Sequence, residues 1–327
     1  MSQDSDIIVD RRRIRRKLTF WRIFAAVVAI LAIIAVGVVA TPGGRGSLAS
    51  TSSIARVKIE GLIRSDSERV AALERLEKSS QAAAVIVHIN SPGGTTAGSE
   101  QLYDSLMRLK AKKPLVVVVE GLAASGGYIT AIAADHIIAQ QTSLVGSIGV
   151  LFQYPNVAEL LKTLGVKIEE IKSSPLKAAP NGFEPTSPEA RAAIESIVSD
   201  SYAWFRNMVK ARRHLDDASL DRVADGRVFT GRQGLALKLV DEIGDEKAAV
   251  AWLAKEKNVD PNTPVRDYRL RDRFGDLPFL HTAAVAVLDA VGLGSFARRL
   301  EEWGAVQAME RLNLDGLLAL WHPPTAN

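Results

Sequence analysis

Two short segments place a potential reacting group beside bare backbone. In Ala123-Ala124-Ser125-Gly126-Gly127-Tyr128 a serine separates a Val-rich run (115–120) from a stretch patterned as a helix (126–134). Its hydroxyl would stand uncovered at a helix N-terminus, where the peptide dipoles favour developing negative charge. A simple helix N-cap is the competing reading. Two glycines in the first turn, each costing about 1 kcal/mol relative to alanine, argue against stability as the whole reason. The other segment, Asn90-Ser91-Pro92-Gly93-Gly94, follows the apolar run 83–90. Paired glycines permit positive φ and leave amide N–H groups uncovered, as an oxyanion hole requires. An ordinary strand-to-helix turn has the same composition. A phosphate loop fits poorly: Gly93, Gly94 and Gly98 do not make GxGxxG, and no P-loop lysine follows.

A nucleophilic serine needs a base. The sequence has no cysteine and five histidines. His88 and His136 lie in apolar runs, as core or sheet residues do, while His214, His281 and His322 lie in polar or terminal segments. None has a motif around it. Lys177, in Ser173-Ser174-Pro175-Leu176-Lys177-Ala178-Ala179-Pro180, stands among apolar and small residues after a strand expected at 167–171. An ordinary lysine is neutral in only about one molecule in 2,500 at pH 7. Burial must lower its pKa, at a cost of about 4 kcal/mol, before it accepts a proton. The surroundings of Lys177 suit that better than those of Lys110, Lys112, Lys113 or Lys172, which read as solvated.

These segments sit in an alternating pattern. Strands are expected at 54–61, 83–90 and 115–120, with helices at 66–79, 96–109 and 126–134. Near-continuous Val/Ile runs fit parallel strands covered on both faces, an α/β layered fold. A long helix is expected at 188–213, with Ser187 as N-cap and Pro188 in the first turn. Strand, helix and strand follow over 226–244. Beyond 267 the pattern turns amphipathic and Leu-rich with no clear strand, so 267–327 reads as a helical extension of unassigned role.

The 327 residues are 47% hydrophobic and 24% charged, which excludes global disorder. The net charge of +4 resides in residues 1–22, seven basic against three acidic; the remainder carries 34 of each sign. A nucleic-acid-binding domain would carry its positive field on its folded part, so that class is disfavoured. Residues 23–40 form 18 uncharged, apolar positions, roughly 27 Å as a helix and close to a bilayer's hydrocarbon core. Seven Lys/Arg in the 15 positions before this run, against Arg45 alone in the 15 after it, place the N-terminus in the cytoplasm and the rest across the membrane. A cleaved leader ending at Val38-Val39-Ala40 is the alternative, although its apolar region would exceed the usual 7–15 residues. The organisation read from this is a basic arm (1–22), a transmembrane signal anchor (23–40), a Gly/Ser linker (41–53), an α/β domain (54–266) and the extension.

The combination of Asn-Ser-Pro-Gly-Gly, Ala-Ser-Gly-Gly-Tyr and a lysine 52 residues after the serine resembles the signal peptide peptidase A family. These are membrane-anchored Ser–Lys peptidases of the ClpP/crotonase-like fold. The resemblance runs from about residue 54 to 256 and includes 142–150 (TSLVGSIGV), 182–205 and 226–244. It implies Ser125 as nucleophile, Lys177 as general base and Ser147 as the hydroxyl that orients the lysine. The amides of Gly94 and Gly126 would form the oxyanion hole, with Gly93 as the alternative to Gly94. It further implies remnant signal peptides as substrates, a homo-oligomeric ring or dome in which Lys177 serves a neighbour's Ser125, an inner-membrane anchor, and no metal or cofactor. Tyr128 and the Ala-rich approach to Ser125 suit small or apolar substrate residues, or equally a core. Two other functions share the fold. A crotonase-type acyl-CoA enzyme would want a basic cluster for the CoA phosphates, which a neutral domain does not offer. A non-catalytic membrane scaffold would leave both Ser125 and Lys177 unused.

Overall fold

The computed structural model describes Trp21, residues 52–270 and residues 317–321. The chain divides into two units, Met1–Thr51 and Ser52–Asn327. The apolar run 23–40 lies outside the described residues. Among those described, no helix is long and apolar enough to cross a membrane.

Among the described residues, the second unit is built on a ten-stranded sheet. Its centre consists of β1 (Ser53–Ile63), β2 (Ala82–Thr95), β3 (Leu115–Ala124) and β4 (His136–Ala139), all parallel, with the short β8 (Glu242–Ile243) beside β4. The strands β5 (Leu144–Gly146), β6 (Leu151–Phe152), β7 (Val228–Thr230), β9 (Val265–Asp267) and β10 (Leu317–Leu320) extend it. β9 pairs with β1, and β5 continues the β3 edge and carries β7 antiparallel to it.

Alternation along the central strands sorts side chains between two cores, as a period of two demands. Val57, Val85, Val87, Val117 and Val119 join the larger core with Leu73, Leu106, Tyr128 and Phe205. These last come from α1 (Ser67–Lys78), α2 (Thr96–Lys110), α3 (Gly126–Ala131) and the long α5 (Pro188–Arg213), which cover one face. Ile54, Ala84, Ile86, Val116, Val118 and Ile138 join the smaller core with Ala249 and Leu253 of α8 (Glu246–Lys257). The other helices within residues 52–270 are α4 (Ala158–Thr163), α6 (Asp217–Val223) and α7 (Gly231–Ala236). The caps explain several boundaries. Asp66 accepts from Arg69 N–H ahead of α1, Ser187 accepts from Ala190 N–H ahead of α5, and Thr230 with Gln233 forms a capping box at α7.

Three expectations change. The Asn-Ser-Pro-Gly-Gly segment is not a turn: β2 runs through it to Thr95. Residues 167–171 form no strand, because no neighbouring edge pairs with them. Within 267–327, read as helical, residues 317–320 form β10; a four-residue apolar run carries no helix-specific period, and available sheet edges decide its state. Positions 271–316 and 322–327, including His281 and His322, lie outside the described residues.

Candidate active site

β3 ends at Ala124, and the chain turns sharply at Ser125, whose φ is 54° and ψ −117°. A side chain rarely adopts that conformation, which costs of order 1–3 kcal/mol. Three main-chain bonds hold it. Ser125 N–H donates to Gly146 O at 2.8 Å, and Ser125 O accepts from Tyr128 N–H and Ile129 N–H, both at 2.9 Å. Ser125 occupies the N-cap position of α3, yet its hydroxyl caps none of the helix amides. The N-cap explanation therefore fails for the side chain. A serine on a strained strand-to-helix turn is the local construction that presents the nucleophile of α/β-hydrolases. The first-turn amides of Gly126 and Gly127 have no acceptor within α3, as at any helix start.

Every residue of α3 is buried. Tyr128 is wholly so, its hydroxyl donating to Leu239 O at 2.9 Å, and burial pushes its phenol pKa up. Tyr128 is thus a core residue and faces no substrate. Gly127 has a packing reason: a Cβ there would lie 2.6 Å from Ser91 O. At Gly94 a Cβ would lie 1.8 Å from Ile63 O, so β1 and β2 pair through this motif only because the side chain is absent. Gly93 is the member that uses the positive φ, 99°.

Ser91 is a residue that spacing did not single out. Its hydroxyl, fully buried, donates to Gly61 O at 2.6 Å and accepts from Gly93 N–H at 3.1 Å. It thereby pins the irregularity where the β1–β2 register shifts after Glu60. The serine–Pro–Gly sequence, which allows a hydroxyl to meet the amide two residues on, was the available signal.

Ser147 lies close by through the main chain. Ala124 pairs with Gly146, and Ser125 N–H bonds the carbonyl of Gly146, the residue before Ser147. Ser147 is 7% exposed, has φ 54° and donates its own N–H to Arg227 O at 2.8 Å. The structure therefore brings Ser125, Gly126, Gly94 and Ser147 to one end of the sheet.

Lys177 is not part of that group within one chain. It lies in the loop between α4 and α5, exposed, with its N–H donating to Ser174 O at 3.1 Å. Among the described residues no hydrogen bond or ion pair joins its Nζ to Ser125 or Ser147. The expected burial of Lys177 is absent from the single chain. Lys172, its neighbour, is held between Glu170 and Glu184 at 2.5 and 2.9 Å, and these carboxylates raise its pKa and keep it charged. Lys110 and Lys113, expected to be solvated, are partly buried and their pKa values are lowered by desolvation. Lys113 donates to Ser79 O and Ala82 O. Both precede β3 while Ser125 follows it, and ten residues of strand span about 33 Å. Neither reaches Ser125.

Among the described residues the histidines offer no alternative base. His88 Nδ1 meets Glu120 at 2.7 Å and Nε2 meets Glu246 at 2.8 Å, so both ring nitrogens are committed. His136 meets Glu242 at 3.0 Å and stacks on Trp252, and His214 occupies the C-cap of α5.

The sequence model of peptidase family S49 matches residues 107–260, and that of Clp protease matches residues 55–144. A Synechocystis sp. protein that carries a protease name is 36% identical over 211 residues, 64% of this chain and 76% of that one. Protease 4 of Haemophilus influenzae is 31% identical over 227 residues, 66% of this chain but 37% of that protein. The chloroplastic serine protease SPPA of Arabidopsis thaliana is 30% identical over 233 residues, again 68% against 34%. The chain thus spans little more than a third of these two longer relatives.

Proposed function

The chain belongs to the signal peptide peptidase A family, peptidase family S49, and we propose from that premise that it is a membrane-anchored serine endopeptidase working through a Ser125–Lys177 dyad. The observation that carries the reading is the strained Ser125, its hydroxyl uncommitted at the start of a buried helix. In the proposed reaction Ser125 Oγ attacks the scissile carbonyl while neutral Lys177 takes the hydroxyl proton. The Gly94 and Gly126 amides receive the oxyanion. Lys177 then protonates the departing amine, and water, activated by the same lysine, releases the acyl group from Ser125. Ser147 orients the lysine.

Lys177 reaches Ser125 from a neighbouring copy in this proposal. Its loop is exposed in the single chain, and exposed apolar side chains accompany it: Ile171, Leu176 and Phe183. Contact between copies would cover that surface and supply the desolvation a neutral lysine needs. Substrates are remnant signal peptides and other apolar peptides beside the membrane. The basic arm and the 23–40 run support an inner-membrane anchor with residues 54–266 outside the cytoplasm. Digestion of that domain by protease added to spheroplasts tests the orientation; protection until the membrane is lysed overturns it.

The dyad is tested with a serine-directed fluorophosphonate. It should label the protein at Ser125 and leave Ser125→Ala unlabelled. Lys177→Met, which keeps an apolar volume, should fold and assemble while losing peptide hydrolysis by a factor of 10² or more, the order expected for a positioned base. Retained turnover in folded Lys177→Met sinks the dyad.

A further inference from the structure

The loop that carries Lys177 is closed at its base by a network of charges. Lys172 Nζ bridges Glu170 Oε2 at 2.5 Å and Glu184 Oε1 at 2.9 Å. The Asn181 amide donates to the same two carboxylates, to Glu170 at 3.1 and 3.2 Å and to Glu184 at 3.2 Å. Residues 170–172 lead into the loop and 181–184 lead out of it, so these bonds tie its two stems together. The outgoing stem is moored in turn to the segment ahead of α4. Val157 N–H donates to Gly182 O at 2.8 Å, Asn156 Nδ2 donates to Glu184 O at 3.1 Å, and the hydroxyls of Tyr154 and Thr186 bond each other. Gly182 permits that approach, since its φ is 77° and a Cβ there would lie 2.2 Å from Pro155 O.

Between the stems, residues 173–178 are all exposed, yet the backbone beside Lys177 is strained. Ala178 has φ 59°. Among the described residues, the other non-glycine positions of positive φ are Ser125, Ser147, His214, Lys238 and Asn258. His214, Lys238 and Asn258 end α5, α7 and α8, where a left-handed residue is a common finish. Ser125, Ser147 and Ala178 end no helix, and each is, or adjoins, a group of the proposed site. A residue with a Cβ keeps such a backbone only where its surroundings impose it. For an exposed loop, the closed base is what can impose it. An isolated surface ion pair would hold little. Here one cation is shared by two carboxylates that also accept from an amide, so each bond supports the others.

We propose that Lys172, Glu170, Glu184 and Asn181 form a clamp that positions Lys177, presenting it in one geometry to the Ser125 it serves. They are positioning residues, acting through Lys177. The proposal rests on the Ser125–Lys177 reading and adds what holds the base in place, where an error of about 1 Å costs of order 10²-fold in rate.

The test compares the assembled full chain with Lys172→Met, Lys172→Arg and the double variant Glu170→Gln with Glu184→Gln. Lys172→Met and the double variant should lose at least about tenfold in kcat with little change in KM. Hydrogen–deuterium exchange over residues 173–179 should quicken in both, and Lys172→Arg should restore most of the rate and the protection. The pH at half-maximal kcat separates a clamp from a mere field. Glu170 and Lys172 line one hollow with Lys177. If only charge mattered, removing two carboxylates would lower the lysine pKa and shift that midpoint down. A loosened loop leaves Lys177 better hydrated and shifts it up, toward the ordinary lysine value. Asn181→Ala keeps every charge while removing the amide bridge, and it stands in for any variant that fails to assemble, with the same direction expected. Unchanged exchange, or a downward midpoint with kcat retained, overturns the clamp. Faster exchange with kcat intact overturns the positioning role. Turnover by folded Lys177→Met overturns the dyad instead, while exchange still decides whether the clamp orders the loop.

Discussion

At Ser125 the backbone is set before any side chain acts. Its positive φ is fixed by Gly146 O on one side and two α3 amides on the other, so the hydroxyl inherits its direction from the main chain. Ser91 does the same for the facing strand. Ser91→Ala removes bonds to Gly61 O and Gly93 N–H, each worth about 1 kcal/mol, and frees the Gly93–Gly94 segment to shift. The expected result is a modest fall in thermal midpoint and a roughly tenfold or greater fall in kcat with little change in KM, as for a misplaced oxyanion donor. A fall in stability with kcat intact would make Ser91 purely structural. The serine of Ala-Ser-Gly-Gly was legible because two glycines in a first helical turn are poor choices for helix stability. The role of Ser91 was not, since it depends on where β1 and β2 slip register, a property of two strands and not of one segment.

Among the elements, α8 is fastened to the sheet by a charged cluster on the face opposite α3. Arg56 of β1 grips Glu246 of α8 through two bonds of 2.5 and 2.6 Å and also bonds Asp267 of β9, while His88 of β2 meets the same Glu246. Arg56 foremost, with help from His88, holds the Glu246 carboxyl below its ordinary value of 4.5. A depressed carboxyl adds stability that is present above the unfolded value and is lost as pH falls through the folded one. Glu246→Gln should therefore lower stability at pH 7 by about 1–3 kcal/mol. It should also flatten the decline below pH 4.5, measured by urea melts across pH 3–7. Parallel curves for the two proteins would show that the cluster is not what titrates. The central strands could be read from Val/Ile runs because burial on both faces leaves little else they could be. Residues 167–171 and 317–320 are both short and apolar at several positions, and they came out opposite to expectation. What separates them is a partner edge, which local pattern does not contain.

For the whole molecule, a single chain presents Ser125 buried and Lys177 exposed. Mixed assemblies of Ser125→Ala and Lys177→Ala chains at equal ratio test whether copies complete one another. With one serine and one lysine drawn from adjacent chains, random mixing restores about one site in four. Activity at background in verified mixed assemblies would place the dyad within each chain and leave the peptidase assignment standing. A spacing of 52 residues constrains order along the chain and not which copy would supply which group.

The two-residue β6 carries a further consequence. Because its pairing among the described strands comes from β10 alone, its amides hold no ladder bond whenever β10 is detached. In hydrogen–deuterium exchange, peptides covering Leu151 and Phe152 should report that pairing: slow exchange while residues 317–320 are docked, fast exchange once they leave.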